Sequence, residues 1–252
     1  MVPGYCPELK MNKIILSRGR HEYMVTQHLV KDALLCCPES EVALYSAAHP
    51  KLTIVPVPDE ICGLSKLRNW VLKKFDDECV IMLDDDIIAC VIITHANSYR
   101  TTDCVAVDAI LSQAAVCCKD AGARVFGFNQ AWDVRKYNGN KPFMLSSWVG
   151  GVIGIVGRGL WFDEKNMLRV DIDYCLQSIL RDRIIWKDNR YSFCQARFSN
   201  KGGNSLYRTK ERDKSEMDYI KAKWGRYLKI RDTKVGITLS VSVERTRTSD
   251  KI

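Results

Sequence analysis

Residues 79–86 read Cys-Val-Ile-Met-Leu-Asp-Asp-Asp, an uninterrupted apolar run that ends in three carboxylates, and this stretch decides the fold. A run that is apolar at every residue predicts a strand covered on both faces, which is typical of the centre of a parallel sheet. Ionised aspartates are seldom buried without partners, so we expect the triplet where the strand ends. Open α/β sheets bind their ligands at this carboxyl end. The stretch therefore predicts both a central strand and a binding site beside it.

Strand and helix signals alternate on both sides of this run, which predicts a doubly wound α/β sheet. We expect further strands at residues 13–16, 42–45, 52–55 and 124–128, and from Thr233 onward. We expect helices at residues 22–35, 63–75, 103–121, 171–180 and 215–229.

The composition is that of a globular protein. Of 252 residues, 46% are hydrophobic and 27% charged, which excludes wholesale disorder and fibrous repeats. No apolar run approaches the roughly 20 residues of a membrane span, and the N-terminus lacks a secretory signal pattern, so we expect a cytoplasmic protein without a membrane anchor. The eleven cysteines include no C-x-x-C pair and are expected to be buried, reduced thiols.

The net charge of +8 is unevenly distributed. Residues 1–180 hold 19 Lys and Arg against 21 Asp and Glu, a balance of −2, whereas residues 181–252 hold 19 against 9, a balance of +10. Concentrated positive charge favours a polyanionic partner, because basic side chains that neutralise phosphates release counterions. A charged tail that only keeps the protein soluble is the alternative.

The aspartate triplet has the chemistry of a cation site. Side chains alternate along an extended chain, so Asp84 and Asp86 should point the same way and Asp85 the other way. Two such carboxylates can hold a hard divalent ion, Mn²⁺ or Mg²⁺, which in turn holds a diphosphate. The alternative is a solvated acidic turn.

Four short motifs, together with the Asp-x-Asp, make the sequence resemble a known family. They are Ile-Ile-Leu-Ser-Arg-Gly-Arg at 14–20, Pro-Asp-Glu-Ile-Cys-Gly-Leu-Ser at 58–65, Arg-Asn-Trp at 68–70 and Met-Leu-Asp-Asp-Asp-Ile at 82–87. In combination they resemble the TET-associated glycosyltransferases and the related bacteriophage enzymes that modify hydroxymethylated DNA bases, such as 5-hydroxymethylcytosine. The resemblance runs from about residue 12 to residue 230.

The resemblance implies one GT-A domain, a Rossmann-like fold with a mixed, mostly parallel sheet, and a basic C-terminal extension. This domain would occupy residues 1–232, with a donor half at about 12–130 and an acceptor and catalytic half at about 131–232. Residues 233–252 would form a C-terminal strand and a charged tail. The implied activity is metal-dependent transfer of a sugar from a UDP-sugar to the hydroxyl of a hydroxymethylpyrimidine in DNA, in the host cytoplasm if a phage encodes the enzyme. A polysaccharide, lipid or protein acceptor, an inactive DNA-binding module and a nucleotidyltransferase stay open as alternatives.

Candidate donor-binding residues follow the first strand and open the second helix. Backbone N–H groups and basic side chains at the end of a strand are suited to a nucleotide. An arginine in the helix can fork onto a diphosphate, and an asparagine can reach the base or ribose. The donor-binding candidates are Ser17, Arg18, Arg20, Lys66, Arg68, Asn69, Asp84 and Asp85, with Asp84 and Asp86 also as metal ligands.

Candidates for the catalytic base lie at the start of a predicted helix. The resemblance maps the family's Glu-Asp motif onto Val170 and Asp171, which makes Asp171 the base although valine replaces the glutamate. Asp173 is the second candidate. Both aspartates also suit the capping and dipole of a helix N-terminus, a purely structural role. The family's frequent C-terminal His ligand has no counterpart, because all four histidines lie before residue 100.

Candidate acceptor-binding residues occupy three places. Gly150 and Gly151 follow Trp148 and permit close approach of a ligand, unless they form a packed bulge. The segment 186–191 mixes aromatic and basic residues, which suits a stacked base as well as the edge of a half-buried strand. A glycine-rich loop at 200–204 would act as a hinge. The candidates are Trp148, Gly150, Gly151, Trp186, Asn189, Arg190 and Lys201, with phosphate contacts from the basic residues at 221–231.

Overall fold

The computed structural model describes residues 9–94, 97–130, 137, 139–196, 203, 208–233 and 236–243, with the backbone alone at 232, 233 and 236–238. Ten strands form the main sheet: β1 (Met11–Leu16), β2 (Leu34–Pro38), β3 (Thr53–Val57), β4 (Cys79–Asp84), β5 (Ile87–Ile93), β6 (Ser98–Thr101), β7 (Val125–Asn129), β8 (Phe143–Met144), β9 (Val152–Val156) and β10 (Trp186–Gln195). The helices are α1 (Val42–Ala48), α2 (Leu64–Lys74), α3 (Cys104–Asp120), α4 (Val170–Asp182) and α5 (Lys210–Trp224). Strands β11 (Leu228–Thr233) and β12 (Gly236–Val241) pair as a separate hairpin.

The main sheet is mixed and mostly parallel, as predicted. Its strands follow the order β3-β2-β1-β4-β9-β7-β10-β5-β6, with β8 beside β10. The first four strands in this order are mutually parallel. Relative to them only β5, β8 and β9 run in the opposite direction, so seven of the ten strands share one direction.

Strand β4 is central and covered on both faces, as its apolar run predicts. Ile81 and Leu83 pack into the core on the side of α3, whereas Val80 and Met82 pack into the core on the side of α2 and α4. All four side chains are at most 1% exposed. Successive residues of a strand alternate between faces, so Asp84 lies on the face opposite to Leu83, which is the side of α2 and α4.

The register of the sheet brings distant segments to one edge. Leu16, the last residue of β1, pairs with Asp84 at the end of the parallel strand β4. On the other side of β4, Leu83 pairs with Val152, the first residue of the antiparallel strand β9. The segments after β1, after β4 and before β9 therefore meet at one edge of the sheet.

The predicted helix at 22–35 is wrong. This region contains turns, a short 3-10 helix at Thr26–His28 and then β2. The backbone N–H groups of Val25 and Thr26 donate to the Asp85 carbonyl instead of forming helical bonds. Leu29 and Ala33, whose spacing suggested a helix, are buried in the core without one. Hydrogen bonds to distant residues satisfy backbone groups here, so the helical spacing of apolar residues does not produce a helix.

Two further expectations change. The strand predicted at 42–45 is instead α1, in which Tyr45 is the only buried residue. The apolar residues 87–93, which follow the aspartate triplet, form the additional strand β5 beside β10 and not beside β4. The predicted basic helix is present as α5, shifted toward the N-terminus.

The hairpin of β11 and β12 spans the predicted boundary at residues 232 and 233, and the division into domains stays a prediction. Leu228 of this hairpin packs with Ile220 of α5 and with Ile172 and Leu176 of α4. The C-terminal hairpin thus packs against α4, the helix that carries the candidate base Asp171.

The cysteines are as expected. All ten in the described part of the chain are free thiols, and seven of them are buried. Burial raises the pKa of several of these thiols, for example those of Cys79 and Cys90 to about 12. Among the described helices, none has the length and apolarity needed to span a membrane.

Candidate active site

A cleft of about 440 Å³ opens at the carboxyl edge where β1, β4 and β9 meet. Its floor is the aspartate triplet, one wall follows β1, and the other wall is the N-terminus of α4. Nine of the residues predicted from sequence line it: Ser17, Arg18, Arg20, Asp84, Asp85, Asp86, Trp148, Gly151 and Asp171.

Asp84 and Asp86 face the same point. The Nε2 group of Gln195 donates to Asp84 Oδ2 at 2.6 Å and to Asp86 Oδ1 at 3.1 Å. Burial raises the pKa of Asp84 to about 7, and the charges of Asp171, Asp86 and Asp85 add to this while Arg68 opposes it. Burial, together with the charge of Asp85, likewise raises the pKa of Asp86. The two carboxylates therefore retain protons more readily than isolated carboxylates, because burial and neighbouring negative charges disfavour their ionised form.

Asp85 points away from this pair, as alternation predicts. Its Oδ2 accepts a hydrogen bond from Ser17 Oγ at 2.5 Å, and its Oδ1 pairs with Arg20 Nη1 at 2.7 Å. The hydroxyl of Tyr45 lies 2.6 Å from Ser17 Oγ and accepts from the Arg20 N–H. Asp85 thus fixes the segment after β1 to the segment after β4. Arg20 also lies 3.8 Å from Asp86.

The side chain of Thr26 forms hydrogen bonds to the backbone at both ends of the aspartate turn, residues 84–86. Its Oγ1 donates to the Asp84 carbonyl at 2.7 Å and accepts from the Ile87 N–H at 2.9 Å. Thr26 is fully buried. One hydroxyl therefore ties together both ends of the triplet, which restricts the directions in which the carboxylates can point.

Arg68 joins the two sides of the cleft. Its Nη1 forms a close ion pair with Asp171 Oδ1, and its Nη2 lies 3.9 Å from Asp84 Oδ1. The side chain is only 1% exposed and packs over the Phe162 ring. Arg68 is not among the residues that line the cleft in the described part of the chain. It lies behind the carboxylates as a shared counter-ion, whereas the sequence suggested a direct contact with the diphosphate.

Gly150 and Gly151 lie beside Asp171, and of the two only Gly151 is among the residues that line the cleft. A Cβ on Gly150 would lie 2.8 Å from Asp171 Oδ2 and 2.8 Å from Gln130 Nε2. Gly151 has a φ of +72°, which favours glycine, and its carbonyl accepts from the Asp84 N–H at 2.8 Å. Asp171 therefore pairs with Arg68 through one oxygen, and its other oxygen packs so closely against Gly150 that a side chain at residue 150 would displace it.

Trp148 forms a flat, partly exposed surface at the cleft. The Nζ of Lys187 lies 5.9 Å from the centre of its ring, within range of a cation–π interaction. Burial lowers the pKa of Lys187.

Three predicted residues lie elsewhere. Lys66 is exposed on α2 and is not among the lining residues. The Asn69 amide is used internally, since it donates to the Phe162 carbonyl and accepts from the Phe162 N–H. Asp173 is fully buried and binds Lys223, Gln177 and Trp224 through its two oxygens. Of the two candidate bases, only Asp171 faces the cleft.

The predicted aromatic and basic segment is not brought into the cleft either. Trp186 packs against Phe143 with the ring centroids 4.6 Å apart and the ring planes tilted by 34°, and Arg190 makes a bidentate ion pair with Asp188. Asn189 is buried and donates to the Lys141 carbonyl. These contacts belong to a half-buried strand, as in the alternative, but β10 lies inside the sheet between β7 and β5 and not at its edge. Lys201 lies outside the described residues.

Gln130 and Gln195 line the cleft and were not predicted. Gln130 directly follows β7, and Gln195 ends β10, which is parallel to β7. The rule that ligands bind at the carboxyl ends of strands could have indicated Gln130. It could not indicate Gln195, because a strand was only one of two alternatives for residues 186–191 and was not extended to residue 195.

The residues on the floor fit a divalent cation. Two carboxylate oxygens from different residues converge on one point, and hard oxygen ligands are those that Mg²⁺ and Mn²⁺ prefer. Within the described residues, no group of three or more His, Cys, Asp or Glu side chains is placed to hold a metal ion. Asp84 and Asp86 would therefore supply only part of the coordination.

Residues 12–204 match the family model described as TET-associated glycosyltransferase, which is more than half of the chain. The chain belongs to this family. No curated protein matches it. The family match contains the whole cleft floor, Arg68 and Asp171, whereas α5 and the C-terminal hairpin lie beyond it.

Solved structures confirm the GT-A fold. A mannosyltransferase from Pyrobaculum calidifontis in complex with GDP-Man and Mn²⁺ has a TM-score of 0.53 at 13% identity, over 86% of this chain and 64% of that chain. Glucosyl-3-phosphoglycerate synthase from Mycobacterium tuberculosis, in complex with Mn²⁺, UDP and glucosyl-3-phosphoglycerate, has a TM-score of 0.50 at 10% identity, over 92% of this chain and 87% of that chain. S. aureus TarS 1-349 with UDP-GlcNAc has a TM-score of 0.50 at 12% identity, over 80% and 62%. The family member described here thus spans about three fifths of that TarS chain.

Proposed function

We propose that this chain transfers a sugar from a UDP-sugar to the hydroxyl of a hydroxymethylpyrimidine base in DNA, with the help of a divalent cation. The observation that supports the proposal best is the arrangement across one cleft. Asp84 and Asp86 form its floor, Asp171 forms its wall, and the buried Arg68 lies between the two sides. A glycosyl transfer needs these two functions side by side, because the leaving diphosphate must be neutralised while the acceptor loses its proton.

The donor would bind at the Asp84 side. Asp84 and Asp86 would hold the cation, which when bound supplies positive charge to the leaving diphosphate. Arg18 and Arg20 line the same end of the cleft and add positive charge there. The P. calidifontis and M. tuberculosis structures contain a nucleotide or nucleotide sugar together with Mn²⁺, and the fold relationship supports the same donor class by analogy.

Asp171 would act as the general base. A base needs an oxygen that reaches the acceptor and a partner that fixes its orientation. Arg68 fixes one oxygen, and the Asp171 side chain remains 27% exposed where it lines the cleft. We propose that the acceptor hydroxyl approaches Asp171 from the cleft and gives its proton to this carboxylate.

The identity of the acceptor, a modified base in DNA, is the most specific part of the proposal. Exposed basic side chains follow the cleft along the C-terminal part of the chain, and a duplex would offer them sequence-independent phosphate contacts. In the described part of the chain, the exposed basic residues after residue 203 are Arg208, Lys210, Lys214, Lys221, Arg226, Lys229 and Arg231. Trp148 offers a ring on which a flipped base can stack. The free thiols agree with a reducing, cytoplasmic location.

Mass spectrometry of DNA tests the proposal. DNA that contains hydroxymethylcytosine or hydroxymethyluracil is incubated with the protein, Mn²⁺ and a panel of UDP- and GDP-sugars. The expected result is a mass increase of one sugar on the modified base, which is lost in Asp86→Ala. Sugar on another acceptor but never on DNA would contradict the DNA acceptor, and pyrophosphate release would indicate a nucleotidyltransferase. Full turnover of hydroxymethylated DNA by Asp86→Ala would contradict the metal assignment.

A further inference from the structure

Gln195 occupies the point at which the two cation-binding carboxylates converge. It is the last residue of β10, and the pairing with β5 shifts register between Cys194 and Gln195. Such a bulge redirects a side chain, and here it directs the Gln195 amide toward the cleft. The N–H of the next residue, Ala196, donates to the Asp86 carbonyl at 2.9 Å, which ties the end of the strand to the aspartate turn.

The backbone opposite leaves room for this amide. A Cβ on Gly151 would lie 3.1 Å from Gln195 Cδ and 3.2 Å from its Nε2. The left-handed φ of Gly151 also excludes most other residues at this position. Gly151 and the bulge together therefore make a place for one amide group between two carboxylates.

We propose that Gln195 is a third ligand of the cation, and that its amide group turns over when the cation binds. In this structure, Nε2 donates to both carboxylates and compensates their repulsion. When a divalent cation takes the place between the carboxylates, Oε1 turns toward it. This inference rests on the proposed metal-assisted function, and Gln195 would add a third protein ligand in a chain that offers no C-terminal histidine.

The chemistry of the amide supports this turn. The two ends of a glutamine amide have nearly the same shape, and the terminal torsion is broad and roughly two-fold. An NH₂ group that stayed in place would direct its positive hydrogens at the cation. An amide oxygen is a hard, neutral ligand of the kind that Mg²⁺, Ca²⁺ and Mn²⁺ accept. Rotation therefore converts a competitor of the cation into a ligand without moving the backbone.

Mn²⁺ affinity measured by electron paramagnetic resonance tests the inference without any turnover. Each protein is titrated with Mn²⁺ alone and with Mn²⁺ plus UDP. In Gln195→Leu, which cannot ligate, we expect Mn²⁺ affinity to fall by about tenfold or more, as for the loss of other groups that support a metal site. In Gln195→Glu, a carboxylate replaces the amide, and we expect Mn²⁺ to bind more tightly than in the unmodified protein.

Thermal unfolding gives a second readout. Gln195→Glu places a third carboxylate beside Asp84 and Asp86, so its melting temperature should fall without Mn²⁺ and recover when Mn²⁺ is added. Gln113→Glu is the matched control, because it makes the same change at an exposed position of α3 and should leave Mn²⁺ affinity and its effect on melting unchanged.

The outcomes separate this inference from the proposed function. If Mn²⁺ affinity is lost in Asp86→Ala but is unchanged or higher in Gln195→Leu, Gln195 is only a hydrogen-bond donor and the inference is overturned while the cation site stands. If Gln195→Leu does not fold, failure of Gln195→Glu to bind Mn²⁺ more tightly overturns the inference equally. If the unmodified protein binds no Mn²⁺ even with UDP, both the inference and the metal assignment fail.

Discussion

Glu216 on α5 holds the segment that leads to the candidate base, although α5 lies beyond the family-matched residues 12–204. Its Oε2 accepts hydrogen bonds from the backbone N–H groups of Met167 at 3.0 Å and Leu168 at 2.7 Å. Glu216 is only 6% exposed. Because Asp171 follows three residues later, we predict that Glu216→Ala lowers both stability and the rate of transfer.

The magnitude follows from the two bonds. A hydrogen bond to a charged group contributes roughly 1.5–3 kcal/mol, and the lower value suits a segment that water can reach. Two bonds lost in Glu216→Ala should therefore lower the free energy of unfolding by about 3 kcal/mol. In Glu216→Gln, a neutral oxygen can still accept both bonds at about half the strength, so the loss should be about 1.5 kcal/mol.

The kinetic effect should be confined to the base. A displacement of about 1 Å in a reacting group can reduce a rate on the order of 100-fold. We therefore expect kcat of Glu216→Ala to fall at least about tenfold, with Mn²⁺ affinity unchanged, because Asp84 and Asp86 lie on the other side of the cleft.

Urea unfolding and the DNA transfer assay measure the two effects. Asp218→Ala is the control, since it removes an exposed carboxylate from the same helix. If Glu216→Ala unfolds at the same urea concentration as Asp218→Ala and has the same kcat, the positioning role of α5 is refuted.

Three further predictions concern the cleft itself. Asp171→Asn should reduce kcat by at least ~10²-fold with donor affinity retained. Asp173→Asn should mainly lower the melting temperature. If Asp173→Asn instead reduced kcat and Asp171→Asn only lowered the melting temperature, the roles of the two residues would be exchanged. Gly150→Ala should reduce transfer to DNA without unfolding the protein, because the new Cβ would meet Asp171 Oδ2, and Gly225→Ala, which meets no atom within 4 Å, is its control. Because the pKa of Asp84 is raised to about 7, protons compete with the cation, so Mn²⁺ affinity should increase between about pH 6 and 8. The same shift means that, without Mn²⁺, the folded protein binds more protons at this carboxyl than the unfolded protein does. The free energy of unfolding should therefore fall as the pH rises from about 4 to 7. If neither Mn²⁺ affinity nor the free energy of unfolding changed with pH in these ranges, the raised pKa of Asp84 would be contradicted.

Local sequence patterns were sufficient to predict the strands and helices in which buried residues recur at regular intervals along the chain. The apolar run of β4 predicted a strand covered on both faces, and the spacing of apolar residues predicted α2 and α4 nearly to their ends. Patterns failed where tertiary partners replace local ones. Residues 22–33 have helical spacing, yet their backbone bonds to the aspartate turn, so periodicity there reports burial and not helix.

By itself, the sequence determined that three aspartates end a buried strand, that Asp84 and Asp86 share a side, and which family motifs surround them. Only the tertiary structure decided which side chains meet there. Arg68 pairs with Asp171 across 103 residues, and Gln195 reaches Asp84 across 111. It also separated Asp171, which faces the cleft, from Asp173, which is buried two residues later. The physical reason is that periodicity tells which face of an element is buried, whereas the partner on that face depends on the order and register of strands far apart in the chain.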